Sequence, residues 1–537
     1  MERTAVVGQS QASSLSALLL CLEQGMVSLS PHSGLLEKLF QYIDLHQDEF
    51  VQILKEWVAI ESDSVQPVPR LRQELFRMMA LAADKLRNLG ARVDSAELGS
   101  QQMPDGQSLP IPPIILAELG NDPKKPTVCF YGHLDVQPAQ KDDGWLTHPY
   151  TLTEVDGKLY GRGATDNKGP VLAWINAMST FRALQQDLPV NIKFVLEGME
   201  EAGSVALEEL VRREKDHFFS GVDYIVISDN LWLSQRKPAL THGTRGNCYF
   251  TVEVFINWKH RLATYTLSNR SFRSGFRQKV KCRDQDFHSG TFGGILNEPM
   301  TDLIALLGSL VDSSGHILIP GIYDQVAPIT EEEKTMYKNI DLDLEEYQKS
   351  NQVEKFLFDT KEELLMHLWR YPSLSIHGIE GAFDEPGTKN SHSRPSPGKI
   401  FNRLVPSMTP SMVEKQQTSL SCHYGGGPVK AHGWSPCFPL VAQHLEAVFS
   451  KRNSFNKMAV SMVLGLHPWT ASVNDTQYLA AHRAIKTVFG VDPDMIQDGS
   501  TIPVAKIFQA ITQKSVMMLP LGAVDDGEHS QNEKINS

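Results

Sequence analysis

The chain has 537 residues, of which 41% are hydrophobic and 21% charged, and its formal net charge is -12. That length exceeds what one core ordinarily supports, so two or more domains of the globular class are expected. The acidic balance argues against a nucleic-acid partner, which needs clustered Lys and Arg, and no run of about 18 apolar residues is present to span a membrane.

Residues 1–33 hold a short apolar run, Ser14–Leu22, preceded by a lone Arg3. Two readings stand here, the h-region of a secretory signal and an amphipathic first helix. Gly34–Ile60 predicts helix, with Leu36, Leu39, Phe40, Ile43 and then Phe50, Ile53, Leu54, Trp57 at helical spacing. Arg70–Leu89 repeats that pattern until Gly90. Strand-like runs follow at Thr127–Tyr131, Asn191–Leu196 and Asp223–Ser228, with helices expected over Val171–Leu184 and Ser204–Lys215. Strands alternating with helices imply a largely parallel α/β sheet. From about Gly246 the texture changes, through a strand at Tyr249–Val254, a helix at Met300–Val311 and a strand at Ser461–Leu466. A helix at Asp475–Phe489 and a core-type strand at Ser515–Leu521 then return to the first texture. The simplest organisation is one α/β domain interrupted by another, with no internal repeat. Six cysteines form no C-x-x-C pair and leave the redox compartment open.

The strand-like runs end in polar clusters. After Tyr131 comes Gly-His133-Leu-Asp135, after Leu196 comes Glu197-Gly-Met-Glu200-Glu201, and after Ser228 comes Asp229. Beyond Leu521 lies a stretch that ends in Glu528-His529. Open α/β sheets bind ligands beyond the carboxyl ends of their strands, so these groups can converge in space. Histidine nitrogens and carboxylates suit zinc, and carboxylates also suit manganese. Two ions need a shared anionic bridge, and Asp166 lies in a glycine-rich loop, Gly161–Gly169, that allows close approach. Taken singly, each feature has a bland reading: an accidental H-x-D, a solvated Glu-Glu pair, an aspartate capping a helix. What joins them is their common position at strand ends.

Four segments carry a resemblance: Tyr131–Pro138, Gly161–Pro170, Glu197–Ser204 and Gly527–Ser530. Together they resemble the M20 family of metallopeptidases, in particular the branch that hydrolyses Xaa-His dipeptides such as carnosine. The resemblance runs from about Leu35 to Asn536. It implies a catalytic domain of mixed, mostly parallel sheet at 34–244 and 469–537, interrupted by an α+β lid and dimerisation domain at 245–468. It implies two divalent ions per subunit, zinc or manganese. His133 and Asp229 would hold one, Glu201 and His529 the other, and Asp166 would bridge them. Asp135 would orient His133, and Glu200 would be the general base. His288, from the lid of a homodimer, would support the oxyanion. Arg403, with Gly499 and Ser500, would bind the dipeptide's free carboxylate. The family also implies a cis peptide between Asp166 and Asn167. The N-terminal run and the likeness to a secreted form favour secretion over the cytoplasm.

The chain departs from the family pattern in places. Phe255 to about Val280, basic and Ser-rich, reads as an inserted surface loop just before His288. Asn390–Pro397 replaces a segment in which the family has a substrate-binding threonine; Asn390 stands there. Gln417 to about Ala442 is a second extra stretch, and its Cys422, His423, His432 and Cys437 match no zinc-ligand spacing. The family continues past the last motif with a packed helix, whose loss, at about 25 cal/mol per Å² of apolar area, is expected to lower stability by several kcal/mol. Asn269-Arg-Ser and Asn474-Asp-Thr are candidate glycosylation sequons.

Overall fold

Helices form first where apolar residues recur every three or four positions. The computed structural model describes residues 33–103, 106–255, 287–351, 353–379, 391–392, 396–405, 408 and 440–536. The candidate signal segment, Asn269, Asn390 and the zinc-like cysteines and histidines of 417–439 lie outside those residues. Helices α1 (Ser33–Leu45), α2 (Gln47–Val58) and α3 (Pro69–Asn88) open the chain. In α3, Leu71, Leu75, Met78, Met79, Ala82 and Leu86 are buried along one stripe, and Gly90 ends the segment at φ 93°.

Strands β1 (Arg92–Ala96), β2 (Ile114–Leu119) and β3 (Thr127–His133) follow, then α4 (Lys168–Ala183), β4 (Asn191–Glu197), α5 (Leu207–Glu214), β5 (Tyr224–Ile227) and β6 (Ala239–Thr244). The chain then leaves for β7 (Gly246–Phe255), α6 (Pro299–Leu307), α7 (Glu331–Asn339), α8 (Leu344–Ser350) and α9 (Lys361–Trp369). Next come β8 (Ser373–Ile379), β9 (Ser396–Leu404), α10 (Leu440–Lys451) and β10 (Lys457–Leu466). It returns with β11 (Trp469–Thr470), α11 (Thr476–Phe489), β12 (Asp494–Asp498), α12 (Pro503–Thr512) and β13 (Ser515–Met518).

The large sheet has the order β1-β2-β4-β3-β5-β13-β6-β11, with β12 also on β6. Its centre is parallel: β3 lies between β4 and β5, and β13 runs parallel to β5. Antiparallel pairs stand at the flanks. Strand β3 shows why its sequence is a continuous apolar run. Val128 and Phe130 pack under α1–α4 and α11, while Cys129 and Tyr131 pack under α5 and α12. A strand covered on both faces has no polar side to show. Each large side chain so buried contributes about 1.5–3 kcal/mol.

The small sheet, β8-β9-β7-β10, is antiparallel throughout. Here alternation is plain: Cys248, Phe250, Val252 and Val254 of β7 face the core made with α6 and α10, and Glu253 is exposed. The two sheets are joined at neighbouring points, Arg245 between β6 and β7, and His467–Pro468 between β10 and β11. Only glycine fits at 246, since a Cβ there would lie 2.4 Å from the Leu466 carbonyl oxygen and 2.6 Å from the Pro468 nitrogen.

Several expectations shift in detail. The helix expected from Ser204 begins at Leu207, because Ser204 and Ala206 adopt φ 49° and 71°. The helix expected to reach Val311 stops at Leu307, and Val311 bridges to Ile317 instead. The extra stretch placed up to Ala442 ends earlier, since Val441 and Ala442 are buried within α10. Tyr337, Leu364, Leu365 and Trp369 of the interrupting segment share a core with Trp232, Ala239 and Ile496 of the large sheet's side. Among the described residues no helix is long and apolar enough to cross a membrane.

Candidate metal centre

Three neighbouring parallel strands deliver the site. His133 ends β3, Glu200 and Glu201 follow β4, and Asp229 lies just beyond β5. Asp166 precedes α4, and the Asp166–Asn167 peptide is cis, as the family resemblance implies. His133 Nε2 lies 3.0 Å from Asp166 Oδ1 and 3.2 Å from Asp229 Oδ1. His529 Nε2 lies 2.8 Å from Asp166 Oδ2 and 3.1 Å from Glu201 Oε2. Two trios result, His133/Asp166/Asp229 and Asp166/Glu201/His529, each with its ligand atoms within 4.8 Å of one another. Asp166 belongs to both, one oxygen to each.

Asp135 is fully buried and serves four neighbours. Its Oδ1 lies 3.3 Å from His133 Nδ1, which fixes the imidazole with Nε2 turned to the carboxylates. It also accepts from the backbone N–H groups of Glu200 at 3.2 Å and Glu201 at 3.0 Å, and from Ser64 Oγ at 2.6 Å. Asn167 Nδ2 donates to Asp229 Oδ1 at 2.8 Å, and Gln137 Nε2 to Glu201 Oε2 at 2.8 Å. Beneath the site, buried Glu197 accepts from Tyr131 at 2.7 Å and Ser204 at 2.9 Å. Among the described residues no hydrogen bond engages the Glu200 side chain.

Charge crowding dominates the electrostatics. Two like charges 4 Å apart repel by about 4 kcal/mol even at an effective dielectric of about 20. Burial opposes the imidazolium of His133, but Asp229, Asp135 and Asp166 hold its pKa well above the usual value. Burial likewise opposes a charged His529, yet its bonds to Asp166 and Glu201 push it up to about 11. Burial would raise Asp166, but His133 and His529 hold it below the carboxylate range. Glu200 is pushed well above that range, first by burial and then by Asp229, Glu201 and Asp135 against the opposing pull of His133.

The substrate-side residues sit where the two sheets meet. Arg403, on β9, donates from Nη1 to Thr501 Oγ1 at 2.7 Å, and its guanidinium lies 4.8 Å from the centre of the Phe401 ring. Asn247 stands opposite it across β7–β9. Gly499 and Ser500 lie next to Thr501, and buried Arg245 holds that loop, donating from Nε to the Gly499 carbonyl at 3.1 Å and from its backbone N–H to the Ser500 carbonyl at 3.1 Å. Gly499 itself packs tightly, since a Cβ there would meet Leu368 at 2.9 Å. His288 stands apart from this group. It is exposed, pairs with Ser391 in a short two-stranded ladder, and its Nδ1 accepts from the Gly290 N–H at 3.0 Å. So the structure gathers the five expected ligands with Asp135, Glu200 nearby, and Arg403 with Gly499 and Ser500. It leaves His288 outside both groups.

The chain's residues 129–537 match the peptidase family M20/M25/M40. The chain is 81% identical to a mouse Beta-Ala-His dipeptidase over 94% of this chain and 93% of that protein. It is 71% identical to the human Beta-Ala-His dipeptidase over 99% and 95%. The crystal structure of human carnosine dipeptidase 1 superposes with a TM-score of 0.79 at 70% identity, covering 93% of this chain and 94% of that one.

The chain belongs to the M20 peptidase family.

Membership in M20 makes it a metallopeptidase, so divalent ions are implied, and the donor set fits them. Among the described residues, buried Glu201 Oε1 has no hydrogen-bond partner, a costly state for a carboxylate oxygen unless a cation meets it. The two trios offer only oxygen and imidazole nitrogen, the donors that zinc and manganese take. The residues outside the family motifs were Ser64, Arg245, Thr501 and Glu533. Each meets the site through a contact far away in sequence, and none stands in a recognisable spacing.

Proposed function

We propose that this protein is a dinuclear dipeptidase that cleaves the amide bond of Xaa-His dipeptides such as β-alanyl-histidine. The observation that carries the reading is the single aspartate shared by two ligand trios, with a carboxylate that has no hydrogen-bond partner, Glu200, beside it. The M20 relatives named Beta-Ala-His dipeptidase support the substrate class.

In this proposal His133, Asp166 and Asp229 hold one ion, and Asp166, Glu201 and His529 the other, with zinc or manganese as the metal. When bound, such a pair lowers the pKa of water and polarises a carbonyl. Glu200 takes the proton of the attacking water at its carboxylate and passes it to the departing amine nitrogen. Arg403, steadied by Thr501, binds the C-terminal carboxylate of the dipeptide through paired N–H groups, with Gly499 and Ser500 forming the floor. His288 of the partner subunit supplies the donor for the oxyanion, so the active unit is a homodimer. The exposure of His288, and the absence among the described residues of any hydrogen bond between it and its own chain's cluster, support that assignment. We also propose secretion, supported by the exposed sequon at Asn474.

The test is hydrolysis of β-alanyl-histidine by the purified protein with added zinc or manganese, with light scattering on the same sample. The expected result is a dimer whose activity vanishes in Glu200→Ala while its metal content stays. Undiminished turnover by Glu200→Ala sinks the mechanism. Full turnover by a monomer removes the role given to His288. A glycosidase-sensitive mass on the secreted protein, lost in Asn474→Gln, checks the compartment.

A further inference from the structure

We propose that Glu533 is a positioning residue for the dinuclear centre, a carboxylate clamp that fixes the Asp166 loop against the His529 loop. The inference rests on reading Asp166 as the bridging ligand.

Glu533 is fully buried, and its carboxylate accepts four hydrogen bonds, all from one loop. Oε2 receives Arg162 Nη1 at 2.8 Å and the Gly163 N–H at 3.1 Å. Oε1 receives the N–H groups of Thr165 at 2.9 Å and Asp166 at 3.0 Å. The Glu533 carbonyl also accepts from the Gly161 N–H at 2.9 Å. The loop that presents Asp166 is therefore tied at almost every residue from Gly161 to Asp166. Two oxygens with about four lone-pair sites between them are used to capacity, which few buried carboxylates achieve.

The other side of the clamp is the His529 loop. His529 and Asn532 both adopt left-handed backbone, at φ 59° and 61°, which turns the chain sharply on either side of Ser530 and Gln531. At the start of this stretch Asp526 accepts from Lys534 Nζ at 2.5 Å and from the Ala523 N–H at 3.0 Å, which draws its two ends together. At the other end Glu533 is bonded to the Asp166 loop, and Lys534–Asn536 pairs with Lys158–Tyr160 directly after. Glu533 follows closely after His529 in the chain, so its bonds tie the segment that carries His529 to the loop that carries Asp166. No other carboxylate among the described residues spans them with so many bonds. A ligand misplaced by an ångström loses most of its metal affinity, so a clamp of this kind sets the bridge rather than merely filling space.

The probe is Mn²⁺ alone, added to the purified full chain and followed by calorimetry and by electron paramagnetic resonance. The wild-type protein is expected to bind two ions and to show the exchange-coupled spectrum of a bridged pair. Glu533→Gln keeps the shape but places an amide N–H₂ against two donors. It is expected to weaken the second Mn²⁺ at least tenfold and to replace the coupled spectrum with that of an isolated ion. Glu533→Asp keeps the charge but withdraws the carboxylate, and is expected to do the same to a smaller degree. A purely structural role would lower the melting temperature of both variants and leave the coupled spectrum intact in the folded fraction, and that result overturns the proposal. If Glu533→Gln does not fold, Glu533→Asp decides by the same two readouts. Asp166→Ala separates the premises: if it keeps the coupled spectrum, the bridging assignment is wrong. If it loses the spectrum while both Glu533 variants keep it, only the clamp is wrong.

Discussion

The metal cluster and the small sheet obey different rules. Three ligands of the cluster are each held by a further group: His133 by Asp135, Asp229 by Asn167, Glu201 by Gln137. The strands below it are covered on both faces. The small sheet has one covered face, and on its open side Val463 is 61% and Leu464 44% exposed. There Tyr249, Phe401 and His377 form a stack of rings, with His377 and Phe401 nearly parallel at 4.9 Å. One region is over-determined, the other leaves apolar surface for something else to meet. Chemistry that tolerates little displacement sits on the first.

Substitutions can break this contrast. The largest effect is expected at Glu200. Glu200→Gln should lower kcat by about 10²–10⁴-fold, the usual range for losing a general base, with both ions still bound. A loss below tenfold would move the base elsewhere. Next, Phe130→Ala in the doubly covered β3 should cost about 3–5 kcal/mol in denaturant unfolding. A cost near 1 kcal/mol would show that the large sheet's core relaxes easily, contrary to the comparison. Arg403→Ala should raise KM about 10- to 100-fold with metal content unchanged, since it removes ground-state binding at the seam of the two regions.

Metal affinity should follow pH in a set direction. His133 and His529 both hold their protons above the usual range in the metal-free protein, His529 up to about 11. A protonated imidazole cannot ligate, so each must lose its proton on binding. Affinity should therefore fall as pH drops from 8 to 6, by about tenfold per unit for each proton released. Calorimetry in two buffers of different ionisation enthalpy counts those protons, and a flat affinity over the range would contradict the assignment. The smallest effect is expected on the open face. Val463→Ser should change stability by no more than about 0.5 kcal/mol at concentrations where the protein is monomeric.

Much of the first region was legible in the sequence. Strands such as Thr127–His133 announce themselves as apolar runs that end in polar residues, and a topology of parallel strands brings those ends together. The two textures on either side of Gly246 also pointed to two sheets. What escaped was contact between distant segments. Thr501 meets Arg403, and Arg245 holds Gly499, with nothing in local spacing to say so. The left-handed Ser204 and Ala206 delayed a helix that periodicity alone would start sooner. The placement of Trp369 beside Trp232 depended on which apolar surfaces find each other, and period does not encode that.

The position of β13 carries a consequence for how the molecule is made. It lies inside the large sheet, between β5 and β6, yet it is among the last segments of the chain. Synthesis reaches it about 290 residues after β5, which at 5–20 residues per second is about 15–60 s. Throughout that interval the emerging chain has β5 with one open edge, and three acidic ligands without His529. The catalytic half cannot close while it is being translated. Its sheet and its second trio of candidate ligands are completed together, by the same closing segment, after the interrupting sheet has already had time to form.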